Sequence, residues 1–184
     1  PVENGSPRAS PDPFRCHIRI PNVNTLSIIT TGGTIDKIYY DDQSDYQIGE
    51  PEIARILRAM NVAFDWDIQA LMRKDSLHMT DADRQLIAQT ITESSAKHVL
   101  ITHGTDSMID TAKVLADIPD KVMVMTGALN PARFIDSDAV FNIGCAVGAI
   151  QALSPGVWIA MNGKIWQPHK VQKNRQANRF EPLA

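Results

Sequence analysis

Apolar, strand-forming runs recur along this chain, and each ends in a polar loop that leads to a helical stretch. That repeated order limits the fold more than any other feature. Leu26-Ser27-Ile28-Ile29 feeds into Thr30-Thr31-Gly32-Gly33-Thr34-Ile35, and Val99-Leu100-Ile101-Thr102 ends in His103-Gly104-Thr105-Asp106-Ser107. Lys121 to Met125 ends in Thr126-Gly127, and Val157 to Met161 is the last clear strand. Between them, Glu52 to Met60 carries Ile53, Ile56, Leu57 and Met60 at helical spacing behind Pro51. Phe64, Trp66, Ile68 and Ala70 alternate with polar residues, which predicts a strand. Thr80 with Asp83 three residues on predicts a helix cap with an acid in the first turn, followed by a helix of roughly four turns. Met108 to Asp117 and the Ala- and Gly-rich stretch from Asp138 to Leu153 supply two more helices. Such alternation predicts an α/β fold, a three-layer, mostly parallel sheet with helices on both faces.

With 184 residues the chain suits one domain that buries about 70% of the surface its unfolded form exposes. Residues 1–24 carry Pro1, Pro7, Pro11, Pro13 and Pro21 among Ser, Asn and Arg, a composition that packs no core of its own, so an extended or disordered arm precedes a domain over residues 25–184. The stretch from Asp36 to Gly49 is polar and acidic, holds all three tyrosines and reads as a mobile loop. After Met161 the chain reads as a polar, basic tail. A formal net charge of -3 gives no basic footprint for nucleic acid. Cys16 and Cys145 make no disulfide framework, and Cys145, in a small-residue helix, reads as core filler. No apolar run approaches the ~20 residues that span a bilayer, and no signal-peptide core is present, so a cytoplasmic protein is expected.

Chemistry concentrates in the two glycine-bearing loops. In an open α/β sheet the ligand crevice lies beyond the carboxyl ends of the strands, and parallel strands bring both loops to that edge. Gly32 and Gly33 allow a sharp turn and a close approach, leaving Thr34 on the rim as a candidate nucleophile. Neither Gly-x-Gly-x-x-Gly nor Gly-x-x-x-x-Gly-Lys is present, which argues against a phosphate grip. TTGGT at 30–34 and THGTD at 102–106 each set threonine beside glycine, and the second adds a carboxylate, a combination suited to acyl transfer.

These residues closely resemble the bacterial-type L-asparaginase (asparaginase/glutaminase) family, whose signatures are a TGGTI loop and an HGTDT loop; here they read TGGTI and HGTDS. The resemblance implies a flavodoxin-like arrangement of the sheet. It implies further that Thr34 is the nucleophile and that Thr105 and Asp106 are the second catalytic threonine and its neighbouring aspartate. Ser44-Asp45-Tyr46-Gln47-Ile48-Gly49 is similar to the family's flexible segment, which gives Tyr46 a catalytic role. Asp75-Ser76-Leu77-His78-Met79 is similar to the stretch whose serine holds the substrate's α-carboxylate, and Lys173, after Met161-Asn162, falls on the catalytic lysine. Gly33, Ser76, Gly104, Thr105 and Asp106 are thereby implied to line the substrate. Leu77 and His78 depart from the family, standing where relatives carry polar and acidic residues at the amino-acid end of the substrate.

A threonine hydroxyl needs a base, and an amide under attack needs donors for its oxyanion. The resemblance supplies Tyr46 to assist Thr34, the Thr105 N–H as an oxyanion donor, and the Thr105, Lys173 and Asp106 set to activate water. The expected reaction converts L-asparagine and water to L-aspartate and ammonia, with L-glutamine as the second substrate to weigh. No metal or organic cofactor, no nucleic acid and no membrane partner is implied; a homodimer or homotetramer is expected. The alternatives are a glutaminase, an ammonia-releasing component of an amidotransferase, against which the weak basic balance argues, and a non-catalytic amino-acid-binding module of the same fold.

Overall fold

The computed structural model describes residues 25–40 and 45–183. The expected arm over 1–24, with Cys16, and Ser44 of the flexible segment lie outside the described residues. In chain order, β1 (Thr25–Thr30) runs into a 3-10 turn at Thr34–Asp36, then β2 (Lys37–Tyr40), β3 (Asp45–Ile48), α1 (Ile53–Ala59) and β4 (Asp65–Ala70). A 3-10 turn at Ser76–His78 precedes α2 (Asp81–Glu93), β5 (His98–Thr102), α3 (Met108–Val114), β6 (Val122–Thr126) and α4 (Ala139–Ala152). The chain continues through β7 (Gly156–Met161), β8 (Lys164–Trp166), β9 (Val171–Asn174) and β10 (Arg179–Pro182).

Six strands form the main sheet in the order β4-β1-β5-β6-β7-β8, all pairs parallel except the last. Counting only the parallel strands, the order is 2-1-3-4-5, the flavodoxin-like arrangement, with its reversal of direction between β1 and β5. Thr30 sits opposite Ala70 and Thr102, and Thr102 opposite Thr126, so the carboxyl ends of four strands are level and their loops leave from one edge.

The continuous apolar runs arise because the inner strands are covered on both sides. Leu26, Ile28, Leu100, Val122, Val124 and Ala160 pack with Ile53, Ile56 and Leu57 of α1 and with Ile143, Ala146 and Ile150 of α4. The alternate residues Ile29, Val99, Ile101, Met123, Met125 and Ile159 pack with Ile87 and Ile91 of α2 and with Met108 and Ala112 of α3. Each fully buried Ile, Leu or Met contributes about 1.5–3 kcal/mol, so the two faces dominate stability. The edge strand β4 is half covered, and its alternation is correspondingly plain: Trp66 and Ile68 turn inward while Asp65, Asp67 and Gln69 face water. Cys145 is half-buried against the α1/α4 side, as core filler.

At the start of α2, Thr80 accepts from the Asp83 N–H, and the Asp83 side chain accepts from the Thr80 N–H, a complete capping box. Two segments differ from the sequence reading. The expected mobile loop at 36–49 contains an antiparallel ribbon, β2 with β3, in which Tyr39 stands opposite Tyr46 with ring centroids 5.3 Å apart. Cross-strand aromatic pairing supplies the stability that its acidic composition hides. The expected tail beyond Met161 folds as β8 and the β9–β10 ribbon, because Trp166, Val171 and Phe180 bury themselves in the α2/α3-side core. Three widely spaced anchors give no period to read.

Candidate active site

The loops after β1 and β5 interlock at the point where the sheet order reverses, where an open α/β sheet leaves its crevice. Thr31 extends the pairing by giving both its N–H and its hydroxyl to the Thr102 carbonyl, each at 3.1 Å. At Gly33, with φ of 92°, a Cβ would lie 2.5 Å from the Gly104 Cα. A Cβ on Gly104 would in turn lie 2.6 Å from the Ser76 Cβ. Only glycine permits this approach, so the loops carrying Thr34, Thr105 and Ser76 stand backbone to backbone. Ser76 is buried and its hydroxyl accepts from the Asp106 N–H at 3.2 Å, while the Ser107 hydroxyl donates to the Ser76 carbonyl at 2.7 Å.

Lys173 reaches this junction from β9. Its Nζ donates to Thr105 Oγ1 at 2.7 Å and to Asp106 Oδ1 at 2.9 Å, with 12% of its side chain exposed. Arg175 adds a second cation, 3.4 Å from the same carboxylate oxygen. Gly33, Ser76, Gly104, Thr105, Asp106 and Lys173 are therefore brought together. Thr34 is half-buried next to Gly33 and opens the 3-10 turn, where its carbonyl accepts from the Lys37 N–H. Tyr46 stands on the ribbon, 45% exposed, with its ring against Tyr39 and 6.4 Å from the Phe134 ring centroid.

The ribbon is tied to the junction by charge. Lys37 Nζ lies 2.8 Å from Asp75, next to Ser76. Burial pushes the Asp75 carboxyl up, but the Lys37 and Leu77 hydrogen bonds and the Lys37 and His78 charges outweigh it and hold the group below its ordinary value. At the root of the ribbon the buried Asp36 carboxylate accepts from the Glu52 N–H at 2.9 Å, and burial drives it up to about 6. Leu77 and His78, the departures from the family pattern, are both exposed. Among the described residues no three His, Cys, Asp or Glu side chains group to hold a metal ion, and no helix is long and apolar enough to cross a membrane.

Arg175, Lys37 and Ser107 escaped the sequence reading. Arg175 lies two residues past Lys173, in the turn toward β10, and a polar, basic stretch with no period gives no sign of where it aims. Lys37 lies inside the 36–49 stretch, whose sequence reads as a loop.

Comparison with known proteins agrees with this architecture. Residues 25–181 match a family described as "Asparaginase, N-terminal". Over 165 residues the chain is 28% identical to the glutaminase-asparaginase of Acinetobacter glutaminasificans, covering 82% of this chain and 50% of that protein. It is 29% identical over 171 residues to L-asparaginase 2 of Escherichia coli, covering 85% of this chain and 47% of that protein. A component of the glutamyl-tRNA(Gln) amidotransferase of Methanococcus vannielii is 30% identical over 157 residues, covering 79% of this chain and 36% of that protein. The crystal structure of a probable cytoplasmic L-asparaginase from Campylobacter jejuni superposes with a TM-score of 0.75 at 28% identity, covering 86% of this chain and 53% of that one. The chain thus spans about half the length, or less, of the curated relatives it matches.

Proposed function

This chain belongs to the asparaginase family, and from that premise we propose that it is an amidohydrolase which converts L-asparagine and water to L-aspartate and ammonia through an acyl-threonine. The observation that carries the reading is Lys173 Nζ bridging Thr105 Oγ1 and Asp106 Oδ1 beside the Gly33–Gly104 contact. A lysine nitrogen, a hydroxyl and a carboxylate thus meet beside the loop that carries Thr34, which supports the reading.

Thr34 Oγ attacks the side-chain amide carbon. The C–N bond breaks, and the Thr34 proton passes with the help of Tyr46 to the leaving nitrogen, which departs as ammonia. The Thr105 N–H stabilises the oxyanion. Water then attacks the ester, giving up its proton through Thr105 and Lys173; the proton returns to Thr34 as aspartate is freed. Ser76 holds the α-carboxylate. Asp106 orients Lys173 and faces the substrate ammonium.

L-glutamine is the second substrate to weigh, because the similar Acinetobacter protein is named for both amides and Leu77 and His78 leave the amino-acid end differently lined. Ammonia release by the full chain from L-asparagine and from L-glutamine tests the reading. Turnover of asparagine with aspartate as product is the expected result; binding of either amide with no ammonia from either would make this a binding module instead.

A further inference from the structure

We propose that His103 is a positioning residue for the oxyanion: it locks the Gly104–Thr105 peptide so that the Thr105 N–H faces the crevice. The proposal rests on the amidohydrolase reading above and adds a residue to it.

His103 follows β5 directly, is 0% exposed, and gives its backbone N–H to the Thr126 carbonyl at 2.8 Å. Its ring is pinned at both nitrogens. Nδ1 lies 2.7 Å from the Gly104 carbonyl oxygen, and Nε2 lies 2.9 Å from Thr111 Oγ1 on α3. A carbonyl only accepts, so Nδ1 carries the proton; Nε2 of the neutral ring then accepts from the Thr111 hydroxyl. Burial keeps the ring neutral, pulling its pKa down to about 4.

The Gly104 carbonyl and the Thr105 N–H belong to one peptide unit, and in a trans peptide they point in opposite directions. The ring holds the oxygen on the α3 side, so the N–H is aimed away from α3. With no Cβ on Gly104, ψ on that side of the peptide is loosely restrained, so without a partner for the oxygen only the φ preference of β-branched Thr105 resists rotation of the unit. A flip here would present a carbonyl oxygen, the wrong end of the dipole, to a developing oxyanion. The His103 donor opposes that flip. His103 itself cannot retreat, because Gly127 is pressed so close that a Cβ there would stand 2.3 Å from the His103 carbonyl oxygen.

The decisive pair of variants is His103→Asn, whose amide nitrogen can replace the Nδ1 donor, and His103→Gln, whose longer arm reaches the Thr111 side. Both are assayed for ammonia release in the full chain after thermal unfolding has shown them folded. The expected result for His103→Gln is a kcat lower by about 10²-fold, the scale of a lost oxyanion donor, with KM within about threefold. His103→Asn should keep kcat within about fivefold of the parent. Equal losses in the two variants, or a change in KM in place of kcat, would overturn the proposal and leave His103 a packing residue.

The ring nitrogen 15N shifts of His103 in the unmodified protein give a second test that needs neither variant nor turnover. The Nδ1–H tautomer upholds the lock, and the Nε2–H tautomer overturns it. A chain that releases no ammonia yet shows the Nδ1–H form would overturn the amidohydrolase reading while upholding the fixed peptide, so the two failures are distinguishable.

Discussion

Lys173 Nζ and Thr105 Oγ1 lie 2.7 Å apart although 68 positions separate them in the chain. The contact requires the β9–β10 ribbon to fold back over the loop after β5, and it makes the lysine part of the site. Lys173→Met keeps much of the side chain's volume but removes the nitrogen proposed to carry protons to and from Thr105. The expected loss in kcat is about 10²–10⁴-fold, the usual weight of a general acid–base group, with substrate affinity changed much less. Near-normal kcat in this variant would remove Lys173 from the chemistry.

Thr34→Ala is expected to abolish turnover with the fold retained, since the side chain is half-buried in a loop and fills no core volume. Loss of a nucleophile from a concerted set costs on the order of 10⁴–10⁶ in rate. An acyl adduct trapped by rapid quench and mapped by mass spectrometry should lie on Thr34. Retention of a tenth of the parent kcat would move the nucleophile elsewhere, with Thr105 next in line.

The fold was legible because its strands are buried on both faces and announce themselves as unbroken apolar runs. Leu26 to Ile29 and Val99 to Ile101 could be placed without knowing their neighbours. The convergence of Gly33 with Gly104 was legible for the same reason, since parallel strands send their loops to one edge. What the sequence hid is stabilised by pairs distant in the chain or set across a turn. Tyr39 against Tyr46 holds a ribbon together inside an acidic stretch, and Phe180 and Val171 anchor a ribbon inside a basic one. Neither pair produces a period. Arg175 and Lys37 were invisible as site residues because their meaning depends on those ribbons being folded.

The β2–β3 ribbon is expected to act as a lid that substrate or product steadies. Lys37–Asp75 at 2.8 Å couples it to the Ser76 loop, so filling the crevice should be felt along Lys37–Tyr40 and Asp45–Ile48. Hydrogen exchange with and without L-aspartate measures this directly. Slower amide exchange in both strands when aspartate is present is the expected outcome, and Lys37→Met should weaken the effect. Identical protection in the two conditions would sink the lid.

Asp36 gives the protein a pH-dependent stability with a definite sign. Burial is the largest influence on the carboxyl and raises it from 3.8 to about 6; the Glu52 N–H and the Arg73 charge pull it back down, while the Glu52 charge adds to the rise. In the unfolded chain the group titrates near the ordinary value. Between roughly pH 4 and 6 the folded form therefore binds more protons than the unfolded form, and stability falls as pH rises through that window. The contribution is fully present below the unfolded pKa and gone above the folded one. A shift of about two units corresponds to up to about 3 kcal/mol. Asp36→Asn keeps an oxygen to accept from the Glu52 N–H but cannot ionise, so it should match the parent near pH 4 and exceed it in stability above pH 7. Urea unfolding of both proteins at the two pH values checks this. A difference in stability that does not change with pH would mean that Asp36 ionises as easily in the folded protein as in the open chain, and that its buried place at the root of the ribbon carries no electrostatic cost.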